Sequence, residues 1–411
     1  MCEKTDVEMI PRVVIAGAGP VGVVAALACA QNGFAVTLLE AEAAIDDSPR
    51  AATTHPSTLE MIARVGLIDA FIAAGLVARH FQFWDKTTQR LIAEFDHELL
   101  RGETEFPFVV QTEQHKLCNI GLRKLAEFPD VTVRFNARVS AVAQDSDGVT
   151  VTIEGPNGTQ SLRGDYAIGA DGGRSEVRKA LAIEFEGYTW PERFLVLTVL
   201  DDFQHLLPGC CFRNYMADPG EWTNLFKVAG DDGKGRWRAV CPAQPEESDE
   251  DALSDASANR RLQRLFPRPQ GYSLVHKNLY KVHQRVANRF QVGRVFLAGD
   301  SAHVNNTVGG LGLNGGIHDA MELVDTLVAV ERGGADRSLL ARYERRRRTL
   351  NIEFVQEQTV NNKKRLEEKD PQARLARFDE LRALSADRKR HKQFLLRTSL
   401  IAAVRKANNI P

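Results

Sequence analysis

Residues 12–22 read Arg12-Val13-Val14-Ile15-Ala16-Gly17-Ala18-Gly19-Pro20-Val21-Gly22, and Val23 to Ala30 continue as a small, apolar run. Ala35-Val36-Thr37-Leu38-Leu39 comes next and ends at Glu40. The first five residues form an apolar run of strand length that opens directly into Gly-x-Gly-x-x-Gly. A run with helical character and a second buried strand then complete a βαβ crossover of about 30 residues. In this arrangement Gly17 makes the tight turn, Gly19 lets a pyrophosphate approach the backbone, and Gly22 permits close helix–strand packing. Glu40 stands roughly 20 residues on, where a carboxylate accepts hydrogen bonds from a ribose 2′-hydroxyl. The unit predicts dinucleotide binding on a Rossmann-type α/β fold, and by itself it does not distinguish FAD from NAD.

Outward from this unit, Thr58 to Val65 and Ile68 to Ala74 read as helices separated by a stop at Gly66. Leu117 to Leu125 is helical, whereas Val131 to Phe135, Val149 to Ile153 and Tyr166 to Gly169 read as strands, with a turn at Asp147-Gly148. Residues 183–285 lose the crossover rhythm and suit a mostly antiparallel sheet inserted into the nucleotide-binding fold. Gln291 to Leu297 returns to a buried strand, a helix runs from Gly315 to Glu331, and the remainder is charged and helical with a break near Asp370-Pro371. The expected division is a discontinuous dinucleotide-binding domain (1–79, 108–182 and 286–340), a substrate domain (80–107 and 183–285) and a C-terminal helical segment (341–411).

With 411 residues, 43% hydrophobic and 26% charged, the composition is that of an ordinary globular protein. A formal net charge of −1 provides no overall field for nucleic acid. The basic runs Arg345–Arg348 and Lys363–Arg365 are expected to form solvated helix faces. The six cysteines (Cys2, Cys29, Cys118, Cys210, Cys211 and Cys241) show neither CxxC nor zinc-ligand spacing, so no metal site is expected. Without a signal-like leader or a long apolar run, a cytoplasmic protein with no membrane partner is expected.

Two further segments carry a family resemblance. Asp165 to Leu181 reads DYAIGADGGRSEVRKAL, and Arg294 to Leu323 reads RVFLAGDSAHVNNTVGGLGLNGGIHDAMEL. Together with the first glycine motif, in this order and spacing, they resemble the group A flavoprotein hydroxylases, the family of para-hydroxybenzoate hydroxylase. The resemblance implies that Asp171 and Gly172 brace the FAD and nicotinamide region. It places Asp300 on the ribityl hydroxyls, which suits a group able to accept two hydroxyl hydrogens. Gly309, Gly310, Gly312, Leu313 and Asn314 fall at the turn whose backbone faces the flavin edge. Pro49-Arg50-Ala51 resembles the segment whose arginine lies near the flavin, and Gln114 resembles a glutamine that contacts it, with Gln111 as a near alternative. Where relatives carry two prolines this chain has Asn306 and Thr307. That departure predicts a pocket lined by an amide and a hydroxyl. His303 is expected to be structural.

The resemblance implies an NAD(P)H- and O2-dependent monooxygenase that hydroxylates a small, electron-rich phenolic, aminoaromatic or hydroxypyridine substrate through a flavin C4a-hydroperoxide. Baeyer–Villiger or epoxidising chemistry on the same fold, or a non-catalytic FAD-binding protein, stay open at this level. Arg213 and Tyr215, in the strand-like FRNYM segment, are the candidates for gripping a carboxylate or phenolate. The acids among Ala41 to Asp47, with no Lys or Arg, favour NADH over NADPH. The C-terminal helices are expected to cross the domain junction or to form a homodimer contact.

Overall fold

The computed structural model describes residues 10–411, so Cys2 lies outside the described residues. Its centre is a six-stranded sheet in the order Gln291–Val292, Val295–Leu297, Tyr166–Gly169, Arg12–Ala16, Ala35–Leu39, Val131–Arg134. Five strands are parallel, and only the edge pair Gln291–Val292 with Val295–Leu297 is antiparallel. Parallel strands are covered on both faces, and here Val13, Ile15, Leu38, Ile168 and Phe296 are almost completely buried. The helices Pro20–Gln31 and Leu311–Glu331 pack against each other over this sheet. Close packing explains the small, apolar composition of Pro20–Gln31, most of whose residues are buried.

A second sheet of eight strands runs His303–Val304, Leu274–Ala287, Phe185–Val199, Arg236–Ala243, Thr223–Val228, Arg213–Ala217, His80–Asp85, Arg90–Asp96. All its pairings are antiparallel except Arg213–Ala217 with His80–Asp85. The parallel pairing brings a segment from before residue 100 beside one from after residue 210, so this layer is assembled from distant stretches. His303–Val304 belongs to the same sheet although it comes directly after the turn at Asp300. Two three-stranded sheets complete the fold, one of them formed by the successive strands Arg138–Gln144, Val149–Gly155 and Gly158–Gly164.

Pro371 is the first residue of a new helix, Pro371–Ala386, and Asp370 caps it by accepting the Ala373 N–H at 2.7 Å. The C-terminal helices lie across both large sheets. Ser57 donates to the Ser399 carbonyl at 2.7 Å, while the Asp96 N–H donates to His391 Nε2 at 3.1 Å and the Asp218 N–H to the Leu366 carbonyl. Among the described residues, no helix is long and apolar enough to cross a membrane.

The basic runs differ from the sequence expectation. Arg347 is buried, Arg345 and Arg346 donate to the carbonyls of Pro411 and Ile410, and Arg348 donates to that of Ala287. Lys363 is buried between Glu192 and Glu367. Arg345 and Lys364 remain exposed, whereas the buried Arg347 and Lys363 fasten segments together through carbonyls and carboxylates that converge on them.

The most enclosed ionic group is Asp319. It accepts from Arg347 Nε at 2.7 Å, from His303 Nε2 at 2.6 Å and from the Gly299 N–H at 3.0 Å. Burial pushes its carboxyl upward, but His303 and Arg347 outweigh that and hold it below the usual carboxylate range. Its contribution is therefore complete above the unfolded pKa, near 4, and is lost as pH falls through the lower folded value. Asp319→Ala is expected to cost about 3–5 kcal/mol by leaving buried partners uncompensated. Urea unfolding at neutral pH measures this, and the same titration below about pH 4 should show the wild type losing the advantage.

Candidate active site

At the nucleotide end, the left-handed backbone of Gly17 (φ 98°) lets its N–H donate to the Leu39 carbonyl at 2.7 Å. A Cβ there would lie 2.4 Å from the Ala170 carbonyl oxygen, and one on Gly22 would lie 1.9 Å from the Gly17 oxygen. A Cβ on Gly19 meets nothing within 4 Å. Gly17 and Gly22 are thus demanded by the fold itself, whereas the fold leaves open space at Gly19, the residue preceding the helix Pro20–Gln31. Glu40 accepts one backbone N–H on each oxygen, from Ala18 at 2.9 Å and Glu42 at 3.0 Å. Each oxygen keeps a lone pair for another donor.

Asp171 adjoins the same turn. One oxygen caps the helix Glu176–Ala180 through the Glu176 and Val177 N–H groups, at 2.8 and 3.1 Å. The other is buried without a partner, and burial raises the carboxyl above its ordinary value. Gly172 comes next, with φ 79°. Arg50 is exposed and forms an ion pair with Asp46, at 2.6 Å. Burial raises the Asp300 carboxyl above its ordinary value, and Arg50 is near enough to oppose that shift in part. Glu42 pairs likewise with Arg138. Two acids of the Ala41 to Asp47 stretch are therefore matched by arginines, which removes much of the charge argument for NADH. Gln114 is half-buried and begins the helix Gln114–Leu125, while Gln111 is fully buried and accepts from Thr53 Oγ1 at 2.6 Å.

Asp300 sits in the short turn Gly299–Ser301. Its carboxylate is accessible on one side, while the protein around it is dense enough to raise its pKa by desolvation. His303 is buried on Asp319, a structural position. Asn306 requires a correction. Its side chain is fully buried, with the amide nitrogen donating to Gln284 at 3.2 Å and the oxygen accepting from the Val308 N–H at 3.1 Å, so it shapes the loop rather than lining a pocket. Thr307 is exposed and shares a 3.0 Å hydrogen bond with Tyr280.

Gly309 and Gly310 both have positive φ (113° and 67°) and lead into the helix Leu311–Glu331, with Gly312 and Leu313 in its first turn. The Asn314 side chain is fully engaged. It accepts from the His55 N–H at 2.8 Å and donates to the Thr53 carbonyl at 2.9 Å and to the Gly310 carbonyl at 2.5 Å. Asn314 therefore holds this turn in place through its neighbours.

Against the outer side of the turn lies a small, partly open cavity. Arg213 and Tyr215 line it together with Phe81, Phe83 and Val308. Arg213 donates to the Tyr215 hydroxyl from Nη2 at 2.6 Å and from Nε at 3.1 Å, and to the Gly309 carbonyl at 3.2 Å. Sequence reasoning missed His55, whose Nε2 donates to the same carbonyl at 2.9 Å. Burial, assisted by the Arg213 charge, keeps His55 well below its usual pKa and His97 at about 3. It also missed Tyr280 and Gln284, which stand on the strand Leu274–Ala287, and the C-terminal residues Gln358, Asn362, Phe394 and Thr398, which close the cavity. None of these belongs to a motif, and only the fold brings them near residue 309.

A family model described as an FAD binding domain matches residues 11–358. The chain belongs to the FAD-dependent group A aromatic hydroxylases. It is 36% identical over 396 residues to para-nitrophenol 4-monooxygenase of Pseudomonas sp. (strain WBC-3), covering 95% of each chain. It is 34% identical over 368 residues to 6-hydroxy-3-succinoylpyridine 3-monooxygenase of Pseudomonas putida (strain DSM 28022 / S16), covering 88% of this chain and 91% of the relative. The crystal structure of p-nitrophenol 4-monooxygenase from Pseudomonas putida DLL-E4 superposes with a TM-score of 0.86 at 34% identity, covering 95% of this chain and 97% of that one.

The residues present fit FAD. Open space at Gly19, spare lone pairs on Glu40, an orphaned Asp171 oxygen and an enclosed, accessible Asp300 supply donors and acceptors that the protein does not itself satisfy. Gly17→Ala is expected to yield a destabilised enzyme without flavin. Gly19→Ala should retain the thermal stability of the FAD-free wild type yet hold less FAD. Visible flavin absorbance and thermal unfolding of the two variants check this.

Proposed function

We propose that this enzyme hydroxylates a single-ring phenol or hydroxypyridine at the ring carbon para to the hydroxyl, displacing the substituent there. The observation that carries the reading is Arg213, a buried guanidinium with no carboxylate partner among the described residues, opening on a cavity beside the Gly309 turn. An uncompensated buried cation calls for an anion, and no Asp or Glu lines this cavity. A phenolate oxygen meets that need. Tyr215 accepts both Arg213 N–H groups, which leaves its own hydrogen to donate to the same oxygen. Holding the ring as phenolate places electron density on the para carbon. The aromatic side chains Phe81 and Phe83 flank the ring and exclude water.

The names of two relatives support the position. In para-nitrophenol 4-monooxygenase and in 6-hydroxy-3-succinoylpyridine 3-monooxygenase, the numbered carbon carries the substituent and lies para to the hydroxyl. FAD, reduced by NAD(P)H, supplies with O2 an electrophilic oxygen atom. With nitro as the displaced group the atoms balance as 4-nitrophenol, O2, NAD(P)H and a proton giving benzoquinone, nitrous acid, water and NAD(P)+.

In the same reading Gly17, Gly19 and Gly22 receive the FAD pyrophosphate at a helix N-terminus. Glu40 takes the ribose hydroxyl and Asp300 the ribityl hydroxyls, while Asp171 and Gly172 brace the cofactor beside the first turn. The backbone N–H groups of Gly312 and Leu313, in the first helical turn, would meet the flavin's N1–C2=O edge, where reduced flavin becomes anionic. Asn314 positions that turn, Arg50 offers a guanidinium at the cofactor's rim, and Gln114 a contact from its helix end.

Supplied with 4-nitrophenol, the enzyme should release one nitrite for each NAD(P)H oxidised. Arg213→Gln should lower kcat/KM about 100-fold, in line with loss of a charged contact. NAD(P)H oxidation unaffected by any para-substituted phenol would contradict the reading.

A further inference from the structure

The C-terminal helix Glu357–Leu366 contributes Gln358 and Asn362 to the cavity wall, one turn apart on the same face. Immediately before it, Asn351–Gln356 is π-helical. A π-turn carries an extra residue and rotates the succeeding residues by about 100° relative to a continuous α-helix. Single π-turns of this kind concentrate at functional sites. Here the turn sets which face of Glu357–Leu366 reaches the cavity.

Apart from Arg213 and Tyr215, assigned above to the phenolate, the polar groups of this cavity are engaged by the protein, with one exception. Arg213 and Tyr215 bond each other, Asn362 donates to the Val308 carbonyl at 3.2 Å, and Thr398 donates to the Leu395 carbonyl at 3.4 Å. Gln358 is 7% exposed, and its carbonyl oxygen is buried without a hydrogen-bond partner. Among the described residues, no hydrogen bond holds either end of its amide. A buried amide without partners is unfavourable unless a ligand satisfies it. The two ends of the amide exchange places by rotation about the terminal bond, so either can be turned to a ligand.

We propose that Gln358 is a specificity-determining residue, whose amide N–H donates to a hydrogen-bond-accepting substituent on the aromatic ring. The proposal rests on the phenol reading above and deepens it, with Arg213 and Tyr215 holding the phenolate oxygen and Gln358 selecting the group carried elsewhere on the ring. It assigns the substrate class as phenols or hydroxypyridines bearing a nitro, keto or acyl group, in preference to halogen or alkyl. A neutral amide suits this task, because a buried cation in its place would compete with Arg213 for the phenolate.

The test is a binding titration of the FAD-loaded enzyme, monitored by flavin absorbance changes, with 4-nitrophenol and 4-chlorophenol. The near-isosteric Gln358→Leu should raise the Kd of 4-nitrophenol about tenfold while changing that of 4-chlorophenol less than about twofold. Gln358→Met, a second neutral variant in case Leu disturbs folding, should weaken 4-nitrophenol as much and likewise leave 4-chlorophenol nearly unchanged. Arg213→Gln should weaken both ligands alike. Equal losses for both ligands in the Gln358 variants, or no loss for either, would overturn the proposal. Wild-type enzyme that discriminates the two ligands through Gln358 but hydroxylates neither would instead overturn the reaction proposed above.

Discussion

The carbonyl oxygen of Gly309 accepts from Arg213 at 3.2 Å and from His55 at 2.9 Å, and the site is arranged around this junction. It is the point where the turn opening the helix Leu311–Glu331 meets a strand of the eight-stranded sheet and the segment preceding the helix Pro56–Arg64. His55 can serve only while its Nε2 carries hydrogen, and burial beside Arg213 keeps the ring neutral. The positive φ of Gly309 points the carbonyl toward these donors, and a Cβ there would meet Asn362 at 2.7 Å. The same backbone turn thus presents one carbonyl to donors from two different layers.

A second layer of polar contacts keeps that junction rigid. Asn314 links the turn to Thr53 and His55, and Gln284 accepts the Asn306 N–H while donating to Thr359. Behind them, Asp319 ties His303, Gly299 and Arg347 into one buried group. Each link joins segments that are distant in sequence. The turn at Gly309 is therefore held by a shell of side chains drawn from several segments.

The βαβ unit was legible in the sequence because its signals are local. Strand, glycine turn, helix and Glu40 are fixed by neighbours within about 30 residues. Arg213 and Tyr215 could be picked out as two polar residues of alternate register in one short strand, which puts them on one face. Asn306 shows the limit of such reading. Its amide suggested a pocket group, yet a hydrogen bond from Val308 two residues on, and one to Gln284 on the neighbouring strand, engage both of its ends. The arginines of 345–348 mislead similarly, since the carbonyls they meet belong to residues 287, 410 and 411. Gln358 is visible only in the fold, because its place depends on a π-turn that periodicity does not reveal.

The central claim is that Arg213 and Tyr215 hold the substrate as a phenolate. It is tested most directly by titrating the visible absorption of 4-nitrophenol bound to the FAD-loaded enzyme against pH, beside the free compound. The account predicts that the bound phenol ionises at lower pH than the free one, and that Arg213→Gln abolishes the difference. A bound phenol that ionises at the same or a higher pH would contradict it.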